Sequence, residues 1–148
     1  MIYKEEIKDL FSVPEDYYFA HCISADFGIG KGIVVEFNKR YDMKKKLQKK
    51  YPDYLNQFTH KKISGDCILE DNVFNLITKE RYYQKPTMKT MNLALTKMKE
   101  ICLTNNIHKI AMPTIGAGLD KLSWDSVSKE IQSIFKDTDI EILVCKLK

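Results

Sequence analysis

The segment YYFAHCIS, residues 17–24, is a near-continuous apolar run of strand length. A strand that is apolar at consecutive positions is buried on both faces, and a sheet of such strands needs cover on each side. The same pattern recurs in IHKIAM (107–112) and IEILVCKL (140–147), with helical patterns between them. Alternation of this kind points to an α/β layered domain with helices over the sheet. DCILEDNVFNLIT (66–78) reads as two strands joined by Glu70-Asp71-Asn72, a hairpin, so the sheet is expected to be mixed. A further short strand is expected over residues 2–7.

The helices announce themselves by spacing. Ile33, Phe37 and Tyr41 fall four apart on one face, and the segment is expected to continue as helix to about Tyr51, where Pro52 ends it. Residues 51–60 carry no clear pattern. Thr87 can cap a long helix whose apolar positions are Met88, Met91, Leu95, Met98 and Cys102. Ser123 can cap another, with Trp124, Val127, Ile131 and Ile134 facing inward. With 148 residues, one domain spanning 1–148 is expected, large enough to bury a proper core.

No apolar run approaches the roughly 20 residues of a membrane span. The opening MIYKEEIKDL places charges where a signal peptide needs an apolar block. The expected location is intracellular: cytoplasmic, or nuclear in a eukaryotic source. The 4 cysteines, Cys22, Cys67, Cys102 and Cys145, lie far apart in apolar stretches and read as buried reduced thiols. They give no metal spacing with His21, His60 and His108, so neither a metal nor a cofactor is expected. A monomer is the default. The net charge of +4 is mild but uneven: residues 39–62 carry nine Lys/Arg with tyrosine and phenylalanine interleaved. That stretch reads first as a solvated helical face, and alternatively as a patch that meets nucleic acid.

Two glycine-rich loops follow buried strands and enter helices. One is Gly28-Ile29-Gly30-Lys31-Gly32, the other Thr114-Ile115-Gly116-Ala117-Gly118-Leu119-Asp120. Ligands of open α/β sheets bind beyond the carboxyl ends of the strands, where glycines and helix N-termini let backbone N–H groups approach an anion. Two such loops could grip a diphosphate from both sides. Neither matches a dinucleotide or triphosphatase fingerprint.

In order along the chain stand HCIS-x-D-x-x-x-G-x-G-I, LITK, KPT and MP-x-IG-x-GLD-x-L-x-W. The ordered set resembles the macrodomains of the terminal ADP-ribose protein glycohydrolase type, a branch that includes DNA ADP-ribosyl glycohydrolase antitoxins. The likeness runs from about Lys8 to Leu147. It implies a three-layer α/β/α macrodomain with a mixed central sheet and ADP-ribose as ligand. It implies a catalytic pair, Lys79 of the LITK segment and Asp120 of the GLD segment. The diphosphate is then expected between Gly28, Ile29, Gly30, Gly32 and Ile33 on one side and Thr114, Ile115, Gly116, Ala117, Gly118 and Leu119 on the other. Asp9 and Leu10 match the adenine side, with Asp9 accepting from the adenine amine, Ser24 and Thr78 match ligand-contacting positions, and Leu147 matches an apolar contact with adenine. Family members often carry Gly-Asp-Leu-Phe where this chain has Lys8-Asp9-Leu10-Phe11, and a cysteine where it has Ala117.

The implied chemistry is coherent. An amine can attack the anomeric carbon of the distal ribose and form a Schiff base that water releases. An ordinary lysine is protonated at neutral pH, so the site must desolvate Lys79 or use a neighbouring base; Asp120 can take the proton and return it to the leaving group, or simply hold Lys79 as an ion pair. The expected function is removal of mono-ADP-ribose from modified macromolecules, first of all from glutamate and aspartate side chains of proteins, with deacetylation of O-acetyl-ADP-ribose as a side activity. The alternatives are release of ADP-ribose from a DNA base, with the basic stretch holding the strand, and a non-catalytic module that reads ADP-ribose marks. His21 is expected to be a satisfied strand residue rather than a base.

Overall fold

The computed structural model describes residues 1–118 and 120–147. Among these, six strands form one sheet: β1 (Ile2–Ile7), β2 (Tyr18–Ser24), β3 (Asp66–Glu70), β4 (Val73–Lys79), β5 (Lys109–Met112) and β6 (Glu141–Lys146). Their spatial order is β1-β6-β5-β2-β4-β3. The sheet is mixed, as expected: only β3 and β4 are antiparallel, and the other neighbours run parallel. The hairpin turns at Asp71 and Asn72, with Asp71 at φ 55°, a left-handed conformation that a short polar side chain tolerates. The parallel strands bring the ends of β2, β4 and β5 to a single edge.

Among the described residues, five α-helices cover the sheet: α1 (Ile33–Tyr41), α2 (Met43–Lys50), α3 (Tyr54–His60), α4 (Met88–Asn105) and α5 (Trp124–Phe135). Side chains alternate across the strands. Phe74 and Leu76 of β4 and Ile142 and Val144 of β6 face α4 and α5, forming one core with Met91, Leu95, Met98, Val127, Ile131 and Phe135. Val73 and Ile77, with Leu143 and Cys145, face the other way and pack on Phe37, Met43, Leu47, Tyr54 and Phe58. Two cores, one on each face, make the three-layer α/β/α architecture read from the sequence. No helix among the described residues is long and apolar enough to cross a membrane.

Three expectations are corrected. The helix begun at Ile33 is not continuous to Tyr51: it stops at Tyr41, and Asp42, at φ 54°, starts a new one. A continuous helix would place Met43 about 240° around from Phe37. The break re-aims Met43 and Leu47 at the sheet, and the Asn38 side chain accepts from the Lys44 N–H at 2.9 Å to secure it. Residues 54–60, which showed no pattern, form α3, anchored by buried Tyr54 and Phe58 four apart. Trp124 is not a deep core residue. It packs at the rim of the α4–α5 core, and its Nε1 donates to Glu5 at 3.3 Å.

Candidate functional site

A cleft of about 460 Å³ opens at the edge where β2, β4 and β5 end. Both glycine loops line it, as do Ser24, Lys79 and Asp120. Four pieces of local structure build it.

The first is the N-terminus of α1. Its cap is Gly32, at φ 84° and ψ −151°, a conformation open only to glycine, and no side chain caps the helix. A helix start leaves N–H groups without intrahelical partners, and its dipole favours an anion there. Ile33 and Gly32 present this end to the cleft.

The second is the turn after β5. Its internal bonds use the N–H groups of Ile115, Ala117, Lys121 and Leu122. Among the described residues the amides of Gly116 and Gly118 are not spent in this way. Gly116 sits at φ 73°, and a Cβ there would meet Met91 Cε at 2.8 Å. Its glycine is required by the turn and by α4 beneath it. Gly118 has nothing within 4 Å of an added Cβ and faces open space.

The third is the charged pair. Lys79 is the last residue of β4, and Asp120 follows the glycine turn. The Lys79 Nζ donates to Asp120 Oδ1 at 2.8 Å, with 14% and 16% of the two side chains exposed. A part-buried amine in direct contact with one carboxylate has a proton acceptor already in place. Cys22, on the cleft floor, sits close enough to feel both charges. Burial first, and then the Asp120 charge, push its thiol up to about 12, with Lys79 and the nearby Thr78 hydroxyl opposing. Cys22 is therefore a neutral thiol at physiological pH and no rival nucleophile. It is also the one cysteine of the four that is not fully buried, where all were expected to be.

The fourth piece is Asp26, the D of HCIS-x-D, to which the sequence assigned no role of its own. Asp26 Oδ1 accepts from the Ser24 hydroxyl and from the Gly28 N–H at 3.0 Å, and its Oδ2 accepts from the Tyr82 N–H at 3.2 Å. The spacing of Asp26 to Gly28 is that of an Asx turn and could have been read. The contact to Tyr82 could not, because it crosses between two loops.

Of the residues expected at the ligand, Ser24, Gly28, Gly30, Gly32, Ile33, Thr114, Ile115, Gly116, Gly118 and Leu147 line the cleft with Lys79 and Asp120. Leu119 lies outside the described residues. Five others stand off its walls. Ile29 turns under its loop into a separate pocket of about 20 Å³ beside His21 and Leu47. Thr78 is wholly buried next to Cys22. Leu10 is packed into the α1–α3 core. Asp9 caps the short 3-10 turn Leu10–Ser12, accepting from the Phe11 N–H at 3.0 Å. Ala117 is held within its turn by a bond to Thr114 O. Gly28 lines the cleft, but its N–H is committed to Asp26 and not open to a phosphate.

His21 is a buried strand residue as expected, but it is only half satisfied: among the described residues its Nδ1 has no hydrogen-bond partner. It is fully buried, tilted against Phe37 with ring centroids 4.1 Å apart, and its Nε2 is bonded to Asn75 at 2.7 Å. Desolvation lowers its pKa to about 4, against a smaller opposing effect of the Asn75 bond. The basic stretch is partly neutralised within the chain. Lys46 pairs with Asp71 at 2.6 Å and Lys50 with Glu70 at 2.8 Å, both at the hairpin turn, and Arg40 pairs with Glu36. That turn precedes β4, so it lies at the sheet edge opposite Lys79.

The fold and this cleft are those of a macrodomain. The macrodomain of Mycobacterium tuberculosis DarG superposes with a TM-score of 0.78 over 99% of this chain and 98% of that one, at 18% identity. In sequence, ADP-ribose glycohydrolase OARD1 of Homo sapiens is 39% identical over 142 residues, covering 94% of this chain and 88% of the human protein. The Bos taurus protein of the same name matches with the same identity and coverage. No family model matches the chain. On the strength of these relatives, the chain belongs to the ADP-ribose glycohydrolase family of macrodomains.

Proposed function

We propose that this chain, acting as a single macrodomain and a monomer, is a hydrolase of ADP-ribosyl linkages. On this reading it removes mono-ADP-ribose from modified proteins, chiefly from glutamate and aspartate side chains. The observation that carries the reading is the Lys79–Asp120 contact at 2.8 Å, in a cleft that also holds an uncapped helix start and a glycine turn. The name of the human relative is in keeping with it. The free cysteines suit a reducing, intracellular compartment.

The diphosphate lies between the start of α1 and the turn at Gly116 and Gly118, held by backbone N–H groups. The distal ribose then reaches Lys79. A proton passes from the Lys79 ammonium to Asp120, and the neutral amine attacks the anomeric carbon. The N–C bond forms as the C–O bond to the acceptor breaks, and the acceptor leaves as a carboxylate with the bonding pair. The nitrogen then passes a proton to the ring oxygen as the ring opens, which gives a protonated Schiff base that releases its remaining proton to solvent on hydrolysis. Water adds to it, ADP-ribose departs, and the proton held by Asp120 returns to Lys79. Deacetylation of O-acetyl-ADP-ribose in the same cleft belongs to this proposal as a side activity, by the same route where the acetyl group is on the anomeric oxygen.

A module that only reads ADP-ribose would need the anion-binding walls but no paired amine and carboxylate. Release from DNA would use the same cleft, but with Arg40, Lys46 and Lys50 already paired in the chain, the basic stretch gives it little support.

The test is turnover of a protein carrying ADP-ribosyl-glutamate by wild type, Lys79→Ala and Asp120→Ala. Both variants are expected to lose at least about a thousandfold in kcat while still binding ADP-ribose. Borohydride added during wild-type turnover is expected to fix an ADP-ribose adduct on the peptide containing Lys79. Full activity of Lys79→Ala would overturn the covalent route, and stable binding without release by wild type would favour the reader module.

A further inference from the structure

The β4–α4 segment carries two exposed aromatic residues, Tyr82 and Tyr83, into the cleft wall. Tyr82 does not simply project into solvent. A Cβ built on Gly28 would lie 2.8 Å from Tyr82 Cβ and Cδ1, so the tyrosine rests directly on the glycine loop. Gly30 is also near, with Tyr82 Cδ2 at 3.9 Å from its would-be Cβ. Gly28 thus serves a close approach of side chain to backbone, not of phosphate to backbone.

Asp26 fixes that approach. Its two carboxylate oxygens divide their work: Oδ1 holds Ser24 and the Gly28 N–H, and Oδ2 holds the Tyr82 N–H. The backbone adds a separate set of bonds, Ala25 N to Lys79 O at 2.9 Å and Asp26 N to Glu80 O at 3.1 Å. Those bonds, together with Asp120, fix Lys79 without help from the Asp26 side chain. The carboxylate acts on the loop beyond, where Gly30 and Gly32 lead into the start of α1.

We infer that Asp26 is a positioning residue for ADP-ribose. It latches Tyr82 onto the glycine loop and so sets the loop in the shape that receives the diphosphate, with Tyr82 as the wall on its outer side. The inference rests on the reading of the cleft as an ADP-ribose site. It predicts an effect on binding that is separate from the effect on chemistry, because Lys79 and Asp120 are held by other contacts.

Asp26→Asn keeps the volume but puts an NH₂ group against either the Tyr82 N–H or the Gly28 N–H, so one latch contact is lost. The measurements are KM and kcat on an ADP-ribosylated protein, the Kd for free ADP-ribose by calorimetry, and the thermal midpoint. Expected for Asp26→Asn and for Tyr82→Ala is a rise of about tenfold in KM and Kd, with kcat within about threefold of wild type. Tyr82→Phe is expected to match wild type, since the latch uses the backbone N–H and the ring. The double variant Asp26→Asn/Tyr82→Ala is expected to be no worse than the more impaired single variant, because the backbone bond and the ring serve one latch. Wild-type KM in both single variants would overturn the inference, as would a fall in kcat at unchanged KM, or additive losses in the double variant. Tyr82→Ala keeps the test informative should Asp26→Asn fail to fold. If wild type itself neither binds ADP-ribose nor turns over, the underlying reading of the cleft fails instead.

Discussion

The two glycines of the turn after β5 look alike in sequence and differ in what surrounds them. Gly116 holds a positive φ over Met91 and Leu122, whereas Gly118 looks into open space. Gly116→Ala is expected to cost about 1–2 kcal/mol from the left-handed backbone, with added crowding against Met91. Gly118→Ala is expected to leave the urea midpoint unchanged. Equal midpoints for the two variants would contradict this account of the turn. A residue type at a strand end was therefore legible in the sequence, but its reason was not. The same holds for Gly28, whose missing Cβ makes room for a tyrosine 54 positions along the chain. Sequence spacing cannot reveal such a partner, because the contact is made between two loops that only the sheet brings together.

At the scale of elements, periodicity located what burial dictates. The α4 helix follows its apolar positions from Met88 to Cys102, and Thr87 caps it as its place before them implied. The cap is a reciprocal one: the Thr87 hydroxyl accepts from the Thr90 N–H, and the Thr90 hydroxyl accepts from the Thr87 N–H. Thr87→Ala is expected to lower stability by about 1 kcal/mol, read as a shift in the urea midpoint at unchanged slope. Helix α4 also connects Lys79 to the strand that precedes Asp120, so a frayed start of α4 is expected to loosen the pair as well. Illegible elements were those set by side-chain reach. The break at Asp42 depends on Asn38 finding the Lys44 N–H, and α3 on Tyr54 finding Phe27, with ring centroids 5.4 Å apart. Lysines obscure the apolar spacing around the first, and the second is only 7 residues long. The pair Lys79 and Asp120, 41 residues apart, was joined by family likeness rather than by any local pattern.

At the scale of the whole molecule, a buried histidine links stability to pH on the acid side. His21 lies between the layers, neutral, with its pKa lowered to about 4 from the ordinary 6.5. Between those values the unfolded chain binds a proton that the folded chain does not, so stability rises with pH across this window. The contribution is complete above about pH 6.5 and is lost as the pH falls toward 4, up to about 3 kcal/mol. Urea midpoints measured from pH 7.5 to 4.5 are expected to fall accordingly, and the His21 ring is expected to stay neutral by NMR down to about pH 5. A His21 resonance titrating at 6.5 would remove this contribution.

Among the described strands, β1 has a single neighbour, β6, whose residues come last in the sheet. On a ribosome, β1 is made first and must wait for residues 141–146 before it can pair. Until then β6 is also missing from between β1 and β5, and the sheet stands in two parts. Folding of this chain is therefore expected to complete only after synthesis has passed its final strand, with the early segments kept from aggregating in the meantime. Truncations that remove β6 take only Leu147 from the cleft lining, yet they would leave β5 with an open edge, and the loop that holds Asp120 without a fixed floor.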